Sequence, residues 1–462
     1  FTINHENIET IQLGDRTLNF VVWDGEGADH DASDGINWSG DSAPGADDIL
    51  VFNATSDKDA VFDSGFTGSV AGIIISAGYD GDVDLGGDVT VTGDVVVNSG
   101  ELNAGAHNLT IQSDLILNGG LFVASSGTTS VGGDMVIDGA TFNANGGTLS
   151  LNGAGDQDVE AGGARFNNVT IDKAGGTLDI DGAWEVHGTL THTAGTVDAT
   201  GSTLLITGVT KTITADTSLQ LGDVEIELSS NTNALTIDGE LCVAGDLTLT
   251  QVGSIDGGTI AVSGDLTSTD TSVAYWSTGS ISLVGDGDQT ISGGGVGGEI
   301  CTLDISKTGG EILIATDIEV NGNLTGTGGV VAADQPGAIV LVGVTKTVDV
   351  ADEVVLGDVV ISMGNDTHSL TINGRLNVAG DLTVTQVGTI DGGTIAVSGD
   401  VTSTDTTVNY WSTGSISLVG DGDQTLSGGG VGGELCTLDI SKSGGEILIA
   451  TDIEVNGNLT GT

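Results

Sequence analysis

The chain has 462 residues, with 65 acidic and 9 basic side chains (formal net charge −56), 78 glycines, 2 prolines and 38% hydrophobic residues. That length exceeds one ordinary hydrophobic core, so a repeat array or several domains is expected, and the acidity argues against nucleic acid or an anionic membrane surface as partner. So much Gly with so little Pro is not collagen, and the alternating apolar runs exclude simple disorder. Val, Ile, Thr and Leu fill the patterned stretches, with Gly, Asn, Asp and Ser between them, which predicts many short strands joined by tight turns. No run of 18 apolar residues occurs, so no membrane-spanning segment is expected, and no signal peptide is visible. Because Phe1 is not an initiator Met, the chain reads as processed or as a fragment.

Residues 1–65 differ in character from the rest of the chain, with Trp23, Trp38 and Pro44. Ile11 to Val22 alternates around Gly14-Asp15-Arg16 and reads as a hairpin. A first solenoid coil exposes unpaired backbone, so this segment is expected either to cap the fold or to pair with the open end of another subunit. Asp29-x-Asp31-x-x-Asp34-Gly35 puts oxygen donors at spaced loop positions, with Asp24 and Glu26 near enough to join. Calcium is the ligand such a loop suits, although it lacks the sixth-position Gly and bidentate Glu of an EF-hand.

Residues 66–192 carry a 20-residue rung beginning at Asp94, Asp114 and Asp134. Equivalent positions stack as Val95/Leu115/Met135, Leu102/Phe122/Phe142 and Ile111/Val131/Leu151. Each rung has about three short alternating strands, and one winding per repeat is the way to turn every apolar residue inward. The predicted fold is all-β: a right-handed parallel β-helix, or β-solenoid, of about 20-residue rungs with an N-terminal β-rich cap. About 20 rungs at roughly 4.8 Å each predict a rod on the order of 95 Å long. Asp80-x-Asp82-x-Asp84 is a further calcium candidate, unless alternation merely lines its carboxylates along one solvent face.

Residues 193–327 and 328–462 read as two long repeats. Residues 236–327 and 371–462 align without a gap at an offset of 135, with 11 differences over 92 positions. Thr462 matches Thr327, so the natural chain is expected to run on, or a partner to cover this end. Tyr275-Trp276 and Tyr410-Trp411 are the strong aromatic pairs of these repeats; on a strand one of each pair would face outward. Core filling or turn packing is one reading of them, and a column contacting a glycan or a neighbouring subunit is the other. Cys242, Cys301 and Cys436 read as small core hydrophobes too many rungs apart for disulfides. Seven Asn-x-Ser/Thr sequons, at Asn37, Asn53, Asn108, Asn168, Asn323, Asn365 and Asn458, matter only in a glycosylating source.

The run Val22-Trp23-Asp24-Gly25, then Asn37-Trp38-Ser39-Gly40, Pro44, Asp47-Asp48 and Phe52, resembles the opening segment of β-helical regions in large bacterial cell-surface proteins of autotransporter-like and adhesin-like families. Gly-Asp-Gln at 155–157, 287–289 and 422–424, each followed by a strand ending in Lys173, Lys307 or Lys442 and then Gly-Gly, resembles their repeat unit. The resemblance implies a parallel β-helix in an extracellular, cell-surface setting, and with the bias of parallel crossovers it implies the right-handed twist.

Enzymatic β-helices need a carboxylate cluster with a metal or a basic partner. Here Lys173/Lys307/Lys442 and Lys211/Lys346 recur with the repeat, which favours an architectural role over catalysis, and the six His are scattered. The expectation is therefore a non-enzymatic extracellular rod of a filament, sheath or surface layer, assembling as a homo-oligomer or head-to-tail polymer through its ends. The alternative is the stalk or repeat region of an adhesin with a glycan or cell-surface partner; a β-helical carbohydrate-active enzyme is the minor alternative.

Overall fold

The computed structural model describes residues 10–13, 16–332 and 335–461. It is nearly all β, a solenoid of about 20 stacked parallel coils. Tertiary contacts divide it into two compact units, Phe1–Gly208 with Ile213–Gly222, and Val209–Thr212 with Asp223–Thr462.

In the first unit Thr10–Leu13 pairs antiparallel with Arg16–Val22, the expected hairpin, although its Gly14-Asp15 turn lies outside the described residues. Arg16–Val22 then pairs in parallel with Asp48–Phe52, which pairs with Gly72–Ile75 and, through it, with Val95–Val97. The N-terminal hairpin thus begins the same ladder that the coils extend. Beside it, an aromatic cluster fills the opening coils: Trp23 and Trp38 are fully buried with ring centres 5.1 Å apart, and Phe52 and Tyr79 pack at 5.4 Å. Each polar tip has a partner, Trp23 Nε1 donating to the Lys58 carbonyl (2.8 Å), Trp38 Nε1 to the Ala32 carbonyl (2.9 Å) and Tyr79 Oη to the Lys58 carbonyl (2.9 Å). Large rings can therefore be buried without orphaning a donor.

The 20-residue register holds residue by residue. Val95 pairs opposite Leu115 and Leu115 opposite Met135; Leu102, Phe122 and Phe142 form a second column, and Ile111, Val131 and Leu151 a third. Three-residue strands such as Val95–Val97 bury their outer two side chains and half-expose the middle one, as period-two alternation requires. Corners are tight enough to demand glycine. Gly100 and Gly120 have φ of 61° and 70°, and a Cβ on Gly120 would lie 2.5 Å from the Gly100 carbonyl oxygen. A side chain there would be strained twice over.

In the second unit the two near-identical copies fold alike: Leu247 pairs with Leu266 as Leu382 pairs with Val401, and Ser280 with Thr302 as Ser415 with Thr437. Their ladders are not superimposed, however. The side of the coil carrying Gly298–Ile300 continues through Ile318–Val320, Ile339–Gly343 and Val359–Met363 to Leu382–Gln386 and Val401–Ser403. Leu382–Gln386 and Val401–Ser403 are thus in this ladder, whereas their first-copy counterparts Leu247–Gln251 and Leu266–Ser268 are in another, and Gly433–Leu435, the counterpart of Gly298–Ile300, pairs with Ile453–Val455 outside it. The 135-residue repeat is therefore a number of whole coils plus one side, and features of the second copy emerge one side round from those of the first.

Candidate functional site

The repeat-borne polar residues tie coil to coil. Gln289 is buried; its Nε2 donates to the carbonyls of Val262 (2.9 Å) and Gly264 (2.6 Å), while its Oε1 accepts from Lys307 Nζ (2.7 Å), which also donates to the Gly287 carbonyl (2.7 Å). Gln424 with Lys442 repeats this geometry, and Gln157 with Lys173 supplies a third version. Burial lowers the pKa of Lys173 and Lys307. The Asp of each Gly-Asp-Gln turn accepts a backbone N–H one coil on: Asp156 from Thr177, Asp288 from Glu311 and Asp423 from Glu446. At the rung starts Asp94 accepts from the Asp114 amide and Asp114 from the Asp134 amide. Part of the acidity is thus a backbone-capping device at successive corners. Lys346 is buried too, donating to the carbonyls of Val320 (2.7 Å) and Gly322 (3.1 Å), and desolvation pushes its pKa down to about 7.

The loop from Asp24 to Asn37 is organised around a cation of the chain itself. Lys58 Nζ donates to the carbonyls of Gly25 (3.1 Å) and Gly27 (2.7 Å) and to Asn37 Oδ1 (3.1 Å). The carboxylates proposed as calcium ligands serve local turns: Asp24 accepts from Glu26 N, Asp29 from Asp31 N and Asn37 Nδ2, and Asp34 from Ile36 N. Asp29, Asp34 and Asp63 act on Asp31, whose pKa is raised by desolvation and by these like charges. Asp63 is the neighbour that sequence reading missed. Among the described residues no three His, Cys, Asp or Glu side chains converge as a metal cage, and the inner oxygens of the loop already hold the Lys58 ammonium. Further on, Asp82 and Asp84 share the outer face of strand Asp82–Leu85, and Asp84 accepts from Asn103 Nδ2 at 3.0 Å.

Both aromatic pairs lie on turns rather than strands, so the one-in, one-out alternation does not apply. Tyr275 and Trp276 are 50% and 65% exposed, Tyr410 and Trp411 73% and 58%. Within each pair the rings meet edge to face, at 4.9 and 4.8 Å. Core filling is thereby excluded, and because the second copy is turned by one side, the pairs do not stack as a column.

Tyr275 and Trp276 wall a groove of about 270 Å³ whose other lining includes Glu299, Asn321 and Ser272. Asn321 Nδ2 donates to the Val273 carbonyl (2.7 Å) and holds the turn against the coil below it. Glu299 pairs opposite Glu319 in the next coil, and desolvation, the Glu319 charge and Asp270 push the Glu299 pKa up to about 7. In the second copy Asn456 Nδ2 donates to the Val408 carbonyl (2.6 Å) and to Glu434 Oε2 (2.9 Å), and Glu434 pairs opposite Glu454. Burial first, with Glu454 and Asp405 adding, raises the pKa of Glu434.

Cys301 and Cys436 are buried core thiols, and burial pushes both pKa values up to about 12. Cys242 departs from the core expectation: it is half-exposed between buried Leu241 and Val243, on the outward side of its strand. None of the three forms a disulfide. No helix among the described residues is long and apolar enough to cross a membrane. No protein-family model matches the chain, and neither a curated protein nor a solved structure matches it.

Proposed function

We propose that the chain is an extracellular structural protein, a β-solenoid that builds a cell-surface filament, sheath or surface layer and assembles as a homo-oligomer or head-to-tail polymer through its ends. The observation that carries this reading is the thrice-recurring Gln–Lys staple, which commits the repeat's cations and amides to coil-to-coil hydrogen bonds. Near-identical copies extend such a ladder, whereas a single active site gains nothing from duplication. The likeness to autotransporter-like and adhesin-like repeats supports the surface setting. Electron microscopy of the native material tests the proposal: filaments or sheets are expected, and discrete particles that never associate would overturn it.

A second reading, the stalk or repeat region of a cell-surface adhesin, draws on the two solvent-facing Tyr-Trp turns. It requires a distinct binding domain elsewhere in the natural protein. Structural calcium also belongs to the proposal. The like charges of Asp29, Asp34 and Asp63 gathered around Asp31 support it, while Asp24 would have to leave its own turn. Thermal melting with and without a chelator decides this point: a lower melt on chelation is expected, and an unchanged melt removes the ion.

A further inference from the structure

We propose that each Tyr-Trp turn, with the glutamate pair beneath it, is a binding site for an amine-bearing saccharide, so that the chain carries two such sites, one at Tyr275-Trp276 and one at Tyr410-Trp411. The inference does not depend on the assembly proposed above. Large aromatic side chains on a soluble surface need a reason, because exposing two adjacent rings forfeits the stabilisation their burial would give. These two turns keep both rings in solvent in both copies, and an asparagine from a neighbouring coil fixes each turn from below. An edge-to-face pair presents two ring faces at a corner, interplanar angles being 79° and 74°. One face can stack on the C–H face of a pyranose while the other approaches a cation.

The charge beside the rings selects the ligand. Glu299 lines the groove with Trp276, and Glu319 stands opposite it one coil on, two carboxylates of adjacent parallel strands in a largely acidic chain. Like charges so placed disfavour each other's ionisation, and the raised pKa values of Glu299 and Glu434 agree with this placement. A bound ammonium would relieve that repulsion. A lysine of a second copy is a poor source of one, since among the described residues Lys58, Lys173, Lys307, Lys346 and Lys442 are committed to backbone carbonyls of the chain itself. The groove at Tyr275-Trp276, about 270 Å³, falls just under the usual range of small-molecule sites, which suits one or two sugar rings rather than a folded partner.

The test uses the whole chain and tryptophan fluorescence, since Trp23, Trp38 and Trp184 are buried and Trp276 and Trp411 report. A β-1,4-linked glucosamine tetramer is titrated beside its fully N-acetylated counterpart and tetralysine, with calorimetry for stoichiometry. Two sites are expected for the glucosamine tetramer, with at least tenfold weaker binding of the acetylated tetramer and of tetralysine. Trp276→Ala and Trp411→Ala should each halve the stoichiometry, and the double variant should abolish binding. Glu299→Gln with Glu434→Gln should weaken the glucosamine tetramer several-fold and leave the acetylated one unchanged; this pair also stands in should the Trp variants melt differently from the parent. Equal binding of the acetylated tetramer overturns the role of the amine. Equal binding of tetralysine overturns the saccharide, and no binding, or binding that survives in the double variant, overturns the site.

Discussion

Removing one staple should loosen the coils it joins, and the coupling within it is measurable. Gln289→Ala deletes two donors to the buried carbonyls of Val262 and Gly264 and one acceptor for the Lys307 ammonium. Neutral hydrogen bonds contribute about 0.5–1.5 kcal/mol each and one to a charged group about 1.5–3, so the loss should be on the order of 3–5 kcal/mol. Lys307→Met alone should cost less, because the methionine stem refills the space and only the Gly287 carbonyl and Gln289 Oε1 lose a donor. In the double variant no buried ammonium is left without its amide, so the two effects should fall short of additivity by about 1–2 kcal/mol. A solenoid need not unfold in one step, so hydrogen exchange resolved to the coils around 262–264 and 287–291 is the appropriate assay, with urea unfolding beside it. The Gln424/Lys442 cycle in the second copy is an internal replicate. Additive effects, or a Gln289→Ala loss below about 0.5 kcal/mol, would refute the staple.

Three further outcomes are expected. Lys346 has a folded pKa of about 7 against an ordinary 10.5, so above pH 7 the unfolded chain binds the extra proton and stability rises with pH; between pH 7 and 8.5 this should be worth on the order of 1–2 kcal/mol, and Lys346→Met should remove that increment from the melting curves. Glu299 has the opposite sign: its folded pKa of about 7 lies above the ordinary 4.5, so its contribution is present below pH 4.5 and lost as pH rises to 7. Solvent screening limits that change to about 1 kcal/mol, and Glu299→Gln should flatten it in melts across that range. Trp38→Ala should cost about 3–5 kcal/mol in the first unit and orphan the Ala32 carbonyl; protease sensitivity confined to the opening coils would show it, and an unchanged digestion pattern would contradict the aromatic cluster as the filling of those coils.

The columns Val95/Leu115/Met135 and Leu102/Phe122/Phe142 were legible because a solenoid writes its register into the sequence: like residues recur where like environments recur. The same logic makes the Glu299/Glu319 and Glu434/Glu454 pairs readable in retrospect, since each spans 20 residues and so sits on adjacent coils. Lys58 inside the 24–37 loop was not legible, because that contact occurs once, bridges 21 to 33 residues and leaves no periodic trace. The orientation of Tyr275 and Trp276 escaped for another reason. Alternation describes strands, and these residues lie on a turn where it has no force. Cys242 shows the converse: its parity against the buried Leu241 and Val243 places it on the outer face, and reading it by residue type as a core thiol passed over that periodic signal.

The one-side advance between the two copies governs how such a chain meets its surroundings. Had the repeat closed on a whole number of coils, every Tyr-Trp turn would face one way, and neighbouring molecules could be engaged only along a single seam. Because the second copy is stepped round, two consecutive repeats point their rings in different directions about the axis, and the circumference is sampled by translation along it. In the assembly proposed above, contacts made at such turns would fan out around the axis, as a mesh with several neighbours per strut requires, rather than run along one edge.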